Sequence, residues 1–298
     1  MGELYLRKAR VTLSGQGGST IINPGDETDD QIKIEFQVTR DMSGSASTAA
    51  ITIYNLAKPT RDAMGQEFDT IELEAGYIPP SGATNVGTIF KGSIRDASHK
   101  REGNEIISKV ECGDGDKAFR QATISKTYPK GTKVSTVVDD LAAEFGKYGM
   151  KRGEMKGLDR LPELKRPLSM CGACDREMDR IGRSNDMHWS SQNETLEIVP
   201  GDEMLGGILI LTPDTGLIGT PELTDNGVKF DALLNPQARP GRGVIIQSDT
   251  LEMNSEGGLY RLGAVTFSGN NRDGEFKISG QAERTAGGKV DEGKRRSG

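Results

Sequence analysis

Apolar side chains in the first third of the chain fall at every second position. Ile32, Ile34, Phe36 and Val38 alternate with Lys33, Glu35 and Gln37, the period of a strand with one buried face. The same reading predicts strands over residues 5–13, 50–56, 70–77, 88–94 and 105–112. Gly15-Gln16-Gly17-Gly18 reads as a turn, 23–30 as a polar loop, 43–48 as a small-residue stretch, 78–85 as a Pro/Gly loop and 99–103 as a charged turn. Thr60 is placed to cap a short helix over 61–65. Short strands at this spacing predict a barrel or a sandwich.

The period changes after residue 118. Val134, Val137, Val138, Leu141, Ala142 and Phe145 lie on one face of a helix, with Gly131-Thr132 before it and Gly146 after it as a cap pair. A second helix is predicted from about Ser169 to 183, with Cys171, Cys174, Met178 and Ile181 on one face. A hairpin follows, 187–190 with 195–199. Beyond 203 the alternation returns, with strands at 208–211, 227–234, 244–247, 259–268 and 274–280 and a turn at 270–274. The predicted fold class is therefore mainly β with a small α/β insert. Two β-barrel-like domains, 1–118 and 204–285, flank an α/β domain at 119–203. A polar, Gly-rich tail at 286–298 is expected to be flexible.

Composition narrows the function. Apolar residues other than Gly make up 34 % of the 298, and 39 are Gly. That suits short strands, or a core completed by assembly. The net charge of −6 gives no basic stripe for a duplex, so no sequence-specific nucleic-acid binding is expected. No apolar run approaches the ~20 residues of a membrane span, and the first residues lack the apolar core of a signal peptide. Folding in a cytoplasm is the expectation.

Candidate chemistry is sparse. Cys171-Gly172-Ala173-Cys174 is a CxxC, but a zinc site needs two more ligands. Only Cys112, His99 and His188 are on offer, so core packing of both cysteines is preferred. His188 beside Trp189 could mark a pocket; a hairpin packed on two helices explains the Trp better. His99 reads as solvated. Asp26, Glu27, Asp29 and Asp30 cluster, as do Asp114 and Asp116. Neither group has the spacing of a calcium loop or the facing pair of a glycosidase, so solvated turns are expected. Gly15–Gly18 and Gly241-Arg242-Gly243 lack the phosphate-loop pattern. No catalytic, cofactor-binding or metal residue is assigned, and no enzyme activity or cofactor is expected.

The most specific stretch is 215–246, TGLIGTPELTDNGVKFDALLNPQARPGRGVII. Val228, Phe230 and Ala232 alternate with Lys229 and Asp231, and Asn235-Pro236-Gln237-Ala238-Arg239-Pro240-Gly241 turns the chain. This stretch resembles the C-terminal β domain of tailed-bacteriophage baseplate hubs. These are the Mu-type, late-control hubs related to the base of type VI secretion spikes. Ile53-Tyr54-Asn55-Leu56, Glu74-Ala75-Gly76-Tyr77 and Ile89-Phe90-Lys91-Gly92 fall in the order of that family's first domain. The resemblance implies a homotrimeric ring with pseudo-sixfold symmetry in the virion tail. Such a ring joins the tail tube to the spike, contacts other baseplate components and forms part of the DNA channel. Two other readings stay open: a tail-associated peptidoglycan hydrolase, testable by zymography, and a carbohydrate- or host-binding β module, testable on a glycan array.

Overall fold

The alternating segments become strands that share one sheet. The computed structural model describes residues 6–25, 31–79, 84–249 and 258–285. The acidic cluster at 26–30 and the tail at 286–298 lie outside the described residues. The chain opens with β1 (Leu6–Gly15), β2 (Gly18–Ile22), β3 (Ile34–Asp41) and β4 (Thr48–Tyr54), then α1 (Lys58–Ala63). Next come β5 (Phe68–Ile78), β6 (Gly87–Glu102), β7 (Glu105–Gly113), α2 (Asp116–Gln121), β8 (Thr123–Tyr128) and α3 (Val134–Gly146). The middle continues with β9 (Lys151–Met155), β10 (Leu168–Ala173), α4 (Cys174–Ser184), β11 (Met187–Ser191) and β12 (Thr195–Pro200). The last strands are β13 (Leu205–Leu211), β14 (Leu217–Thr224), β15 (Gly227–Leu233), β16 (Arg242–Ile246), β17 (Leu259–Asn270) and β18 (Phe276–Glu283).

Thirteen strands pair in the order β14-β15-β18-β17-β3-β4-β7-β6-β5-β1-β2, with β16 on β17 and β13 on β16. The joint is β17. Its first residues pair with β16, and residues 264–270 run antiparallel to 41–35 of β3. This corrects the expectation of two barrels: among the described residues the path is open and neither β stretch closes on itself. The reason is burial. Ile34, Phe36 and Val38 of β3 and Val265 and Phe267 of β17 sink into one apolar core that runs from Ala9 to Ala282. Pairing β3 with β17 uses the strand edges that separate closure would need.

Residues between 118 and 198 bury a second core. Val134, Val137, Val138, Leu141 and Phe145, the predicted face of α3, pack with Cys174, Met178 and Ile181 of α4 and with Trp189, Leu196 and Ile198 of the hairpin. β9 adds to β12 in parallel, and β10 pairs with β8.

Four local expectations are corrected. The second helix begins at Cys174, not near Ser169, because residues 168–173 pair with 128–123 and Gly172 has φ +149°, which no helix adopts. The charged turn at 99–103 is mostly strand: β6 continues to Glu102, and Gly103 at φ +60° makes the reversal. α1 starts three residues early, at Lys58, with Pro59 in its first turn, where a missing N–H costs nothing. Thr132 does not cap α3; its hydroxyl donates to the Pro129 carbonyl at 2.8 Å.

Candidate functional site

The chemistry of this chain concentrates where the β11–β12 hairpin meets the large sheet. Asp114 follows β7, and Gly115 at φ +65° turns the chain into α2. The expected solvated turn is corrected: Asp114 is 1 % exposed and Asp116 5 %. At the hairpin tip, Asn193 and Glu194 both stand at φ +58°. Two successive left-handed residues aim both backbone N–H groups into one concavity, which attracts an anion. Asp114 fills it. Its carboxylate accepts from Asn193 N and Glu194 N, each at 2.6 Å, and from the Ser191 hydroxyl at 2.9 Å. Burial pushes its carboxyl above the usual range, while the Glu194 N–H, the Arg40 guanidinium and the other donors pull it down.

Arg40 of β3 stands behind this contact, 1 % exposed. Its Nε donates to Gln192 Oε1 at 2.8 Å and its Nη1 to the Ile89 carbonyl at 3.1 Å. Burial holds its guanidinium down at about 10. Further along the seam, Arg242 of β16 makes a two-pronged pair with Glu197 of β12, at 2.8 and 3.0 Å. Arg261 of β17 bonds to the Pro200 and Glu203 carbonyls and to Glu283. So the α/β part is fastened to the sheet by oriented charges and by a small apolar contact of Met42, Val199 and Leu205. None of these groups pairs a nucleophile with a base. The arrangement positions two bodies of structure.

The sequence candidates fall elsewhere. Trp189 is buried and stacks on Phe119 and Phe145, centroids 5.7 and 5.8 Å away, and its indole N–H donates to Asp179 at 2.8 Å. His188 is half-buried, with its pKa lowered first by burial and then by Arg261. His99 is exposed on β6, its Nδ1 3.0 Å from the Ser108 hydroxyl. Among the described residues, no group of three or more His, Cys, Asp or Glu could hold a metal ion, and no helix is long and apolar enough to cross a membrane. The seam itself escaped the sequence reading; Gly-Asp-Gly-Asp has turn composition, and the hairpin that buries it lies about eighty positions on.

The shared helix face for both cysteines is also corrected. Cys171 is exposed on β10, while Cys174 is buried at the start of α4. Burial pushes the Cys174 thiol up to about 11 and the Cys112 thiol up to about 12. A native labelling experiment with a thiol reagent at neutral pH therefore titrates one thiol quickly, and Cys171→Ser abolishes that phase. All three react after unfolding. Rapid labelling of two thiols in the native protein would contradict the burial of Cys174.

The 215–246 stretch forms β14, β15 and β16 with the loop between the last two. Leu217–Thr224 is a strand that alternation did not reveal, since Gly219 and Pro221 interrupt it; its register with β15 slips between Ile218 and Glu222. Gln237 N donates to Asn235 Oδ1 at 2.9 Å and Gly241 N to the Leu262 carbonyl at 2.7 Å. The loop is thus held at both ends.

Comparisons with known proteins bear on the whole chain. The solved structures it is similar to include a 43 kDa tail protein of prophage MuSo2 from Shewanella oneidensis. That match has 10 % identity and a TM-score of 0.60, covering 93 % of this chain and 97 % of that one. A tail protein from Neisseria meningitidis MC58 matches at 11 % identity and TM-score 0.60, covering 94 % and 97 %. The Escherichia coli c3393 protein, a type VI secretion component with structural similarity to the T4 tail proteins gp27 and gp5, matches at 12 % identity. Its TM-score is 0.59, with 88 % and 76 % covered. At such identities these likenesses show a common fold. No curated protein is matched by sequence. The profile of one family, described as baseplate hub gp41, matches residues 9–282. With nearly its whole length inside that match, the chain belongs to the baseplate hub gp41 family of bacteriophage tail proteins.

Proposed function

We propose that three copies of this chain close into a ring at the centre of a tail baseplate, with the tail tube above and a trimeric spike below. The family match over residues 9–282 carries this reading. The fold supports it: the chain is mainly β and has the fold of a prophage tail protein, of a second tail protein and of a type VI secretion component. Each copy would offer two similar β modules, one from the N-terminal strands and one from the C-terminal strands. Three copies of two modules give the six positions that a hexameric tube requires, by closed symmetry. The ring would pass DNA when the spike leaves, and an acidic wall, in keeping with the net charge of −6, would not hold the phosphate backbone. The part played by the chain is structural, without a reaction of its own.

Light scattering on the purified protein, followed by negative-stain imaging, tests the reading. The expected result is a particle of three times the 32.1 kDa chain mass, with a central hole and a near-sixfold outline. A chain that stays monomeric with both tube and spike proteins present would overturn it.

A further inference from the structure

The loop from Asn235 to Gly241 is held at both ends, and it presents Arg239, whose guanidinium makes no hydrogen bond or ion pair among the described residues. Pro236 and Pro240 fix two backbone φ angles. Ala238 is fully buried, and its N–H donates to the Asn235 carbonyl at 3.1 Å. Gly241 sits at φ +85°, a conformation other residues adopt only under strain. The Pro236 ring lies so close to Gly87 of β6 that a β-carbon there would stand 3.2 Å from two of its atoms.

Two arginines leave this platform. Arg242 is neutralised by Glu197. Arg239 is half-buried, and among the described residues its guanidinium makes no hydrogen bond and no ion pair. It lines a cleft with Lys91, Asn85, Asn193, Gln237 and Thr88. Burial lowers its pKa first and the nearby Arg242 charge lowers it further, while the Glu197 and Asp114 charges raise it without bonding to it. In the same cluster of charges, the buried Arg40 leaves its Nη2 without a partner. Withdrawing an unpaired guanidinium from water is unfavourable unless a counter-charge arrives. A platform this constrained, built to present such a group, fits a ligand from outside the chain.

The cleft's other charges narrow the ligand. Lys91 is already paired with Glu194 at 3.5 Å, and Glu72, which accepts from the Thr88 hydroxyl at 2.7 Å, also lines the cleft. A nucleic-acid backbone, with a charge at every phosphate, would meet both carboxylates. A single carboxylate would meet the free fork of Arg239, whose two parallel N–H groups match its geometry. The amide group of Asn85 is turned usefully as well. Its Oδ1 accepts from Tyr77 N at 2.6 Å, which leaves its NH₂ as a donor.

We infer that the cleft at Arg239 is a docking site for an acidic side chain of a partner protein, held by a two-pronged carboxylate–guanidinium pair. This names a recognition chemistry for the assembly proposed above but stands on the geometry of one chain, whatever the number of copies.

The test is calorimetry, supported by the Arg Nε–Hε NMR signals, on the wild-type protein, Arg239→Gln and Arg239→Lys. The probes are an acetylated pentapeptide amide with one Asp between Gly pairs, the matching peptide with Asn in its place, and inorganic phosphate. The Asp peptide should bind saturably and shift one Arg signal. Arg239→Gln should weaken it by about tenfold or more, and Arg239→Lys should fall between because the fork is lost. Both variants should keep the wild-type circular dichroism, since Arg239 bonds to no partner among the described residues. Three results would each overturn the proposal: equal binding of the two peptides, Asp-peptide binding that survives in Arg239→Gln, or saturable binding of phosphate alone. Unfolding of Arg239→Gln would do so too, since it would make the side chain part of the scaffold. Particle mass, measured separately, reports on the ring and leaves this result independent of it.

Discussion

Asp114→Ala is expected to destabilise the 118–198 core by about 3–5 kcal/mol, the range for breaking a buried charge contact by removing one partner. Three donors lose their acceptor: the N–H groups of Asn193 and Glu194 and the Ser191 hydroxyl. Each unsatisfied buried donor costs about 1–3 kcal/mol. Arg40, buried behind them, loses the carboxylate whose charge supports it most. The hairpin turn also loses the anion that offsets two left-handed residues at its tip.

The protein has one tryptophan, Trp189, and it sits in the second core. Its fluorescence therefore reports the α/β part, while circular dichroism is dominated by the large sheet. In wild type the two urea transitions should coincide. In Asp114→Ala the fluorescence transition should move to lower urea and precede the other. Asp114→Asn keeps the shape but turns an NH₂ toward one of the backbone donors, so it should fall between. Asp69→Ala is the control: it removes a half-exposed pair with Lys117, worth about 0–1 kcal/mol. If both signals shift together in Asp114→Ala, the carboxylate supports the sheet as much as the hairpin. If neither shifts, the seam is not held by Asp114.

The contact at Asp114 illustrates what a sequence conceals. Strand β3 was legible because Ile34, Phe36 and Val38 bury one face while Glu35 and Gln37 stay off the core, and α3 because Val134 to Phe145 repeat with a helical period. Local pattern carried both. The β3–β17 pairing was not legible, since Asp41 and Ala264 are partners across most of the chain and alternation says nothing about which strand lies alongside. β9, Lys-Arg-Gly-Glu-Met, has no apolar period; it is a strand because β12 supplies backbone partners. At 168–173 the helical period of α4 was extended backward through Cys171, and only Gly172 hinted at a break. The seam charges Arg40, Asp114, Glu197, Arg242 and Arg261 read as surface residues one at a time. Their burial exists only after the two cores are brought together.

Trp189→Ala should be the most damaging single truncation inside the α/β part, at about 3–5 kcal/mol for an aromatic core residue. The indole fills the space between Phe119 of α2 and Phe145 of α3, at interplanar angles of 22° and 28°. It also reaches out of its own core. Ser43, just past β3, forms an isolated bridge with Trp189, and a β-carbon on Gly44 would strike the ring. Trp189 thus supports the same junction as Asp114 from its apolar side. Trp189→Phe separates the two contributions: it keeps a ring between the phenylalanines but loses the 2.8 Å bond to Asp179. That bond, to a charged acceptor, is worth about 1.5–3 kcal/mol, so Phe should recover part of the Ala loss. Thermal unfolding followed by circular dichroism measures both variants without the indole. If Phe and Ala are equally destabilised, the bond to Asp179 outweighs the stacking. A value for Ala below about 1 kcal/mol, far under the aromatic-truncation range, would mean that the hairpin is held by the Asp114 contact alone.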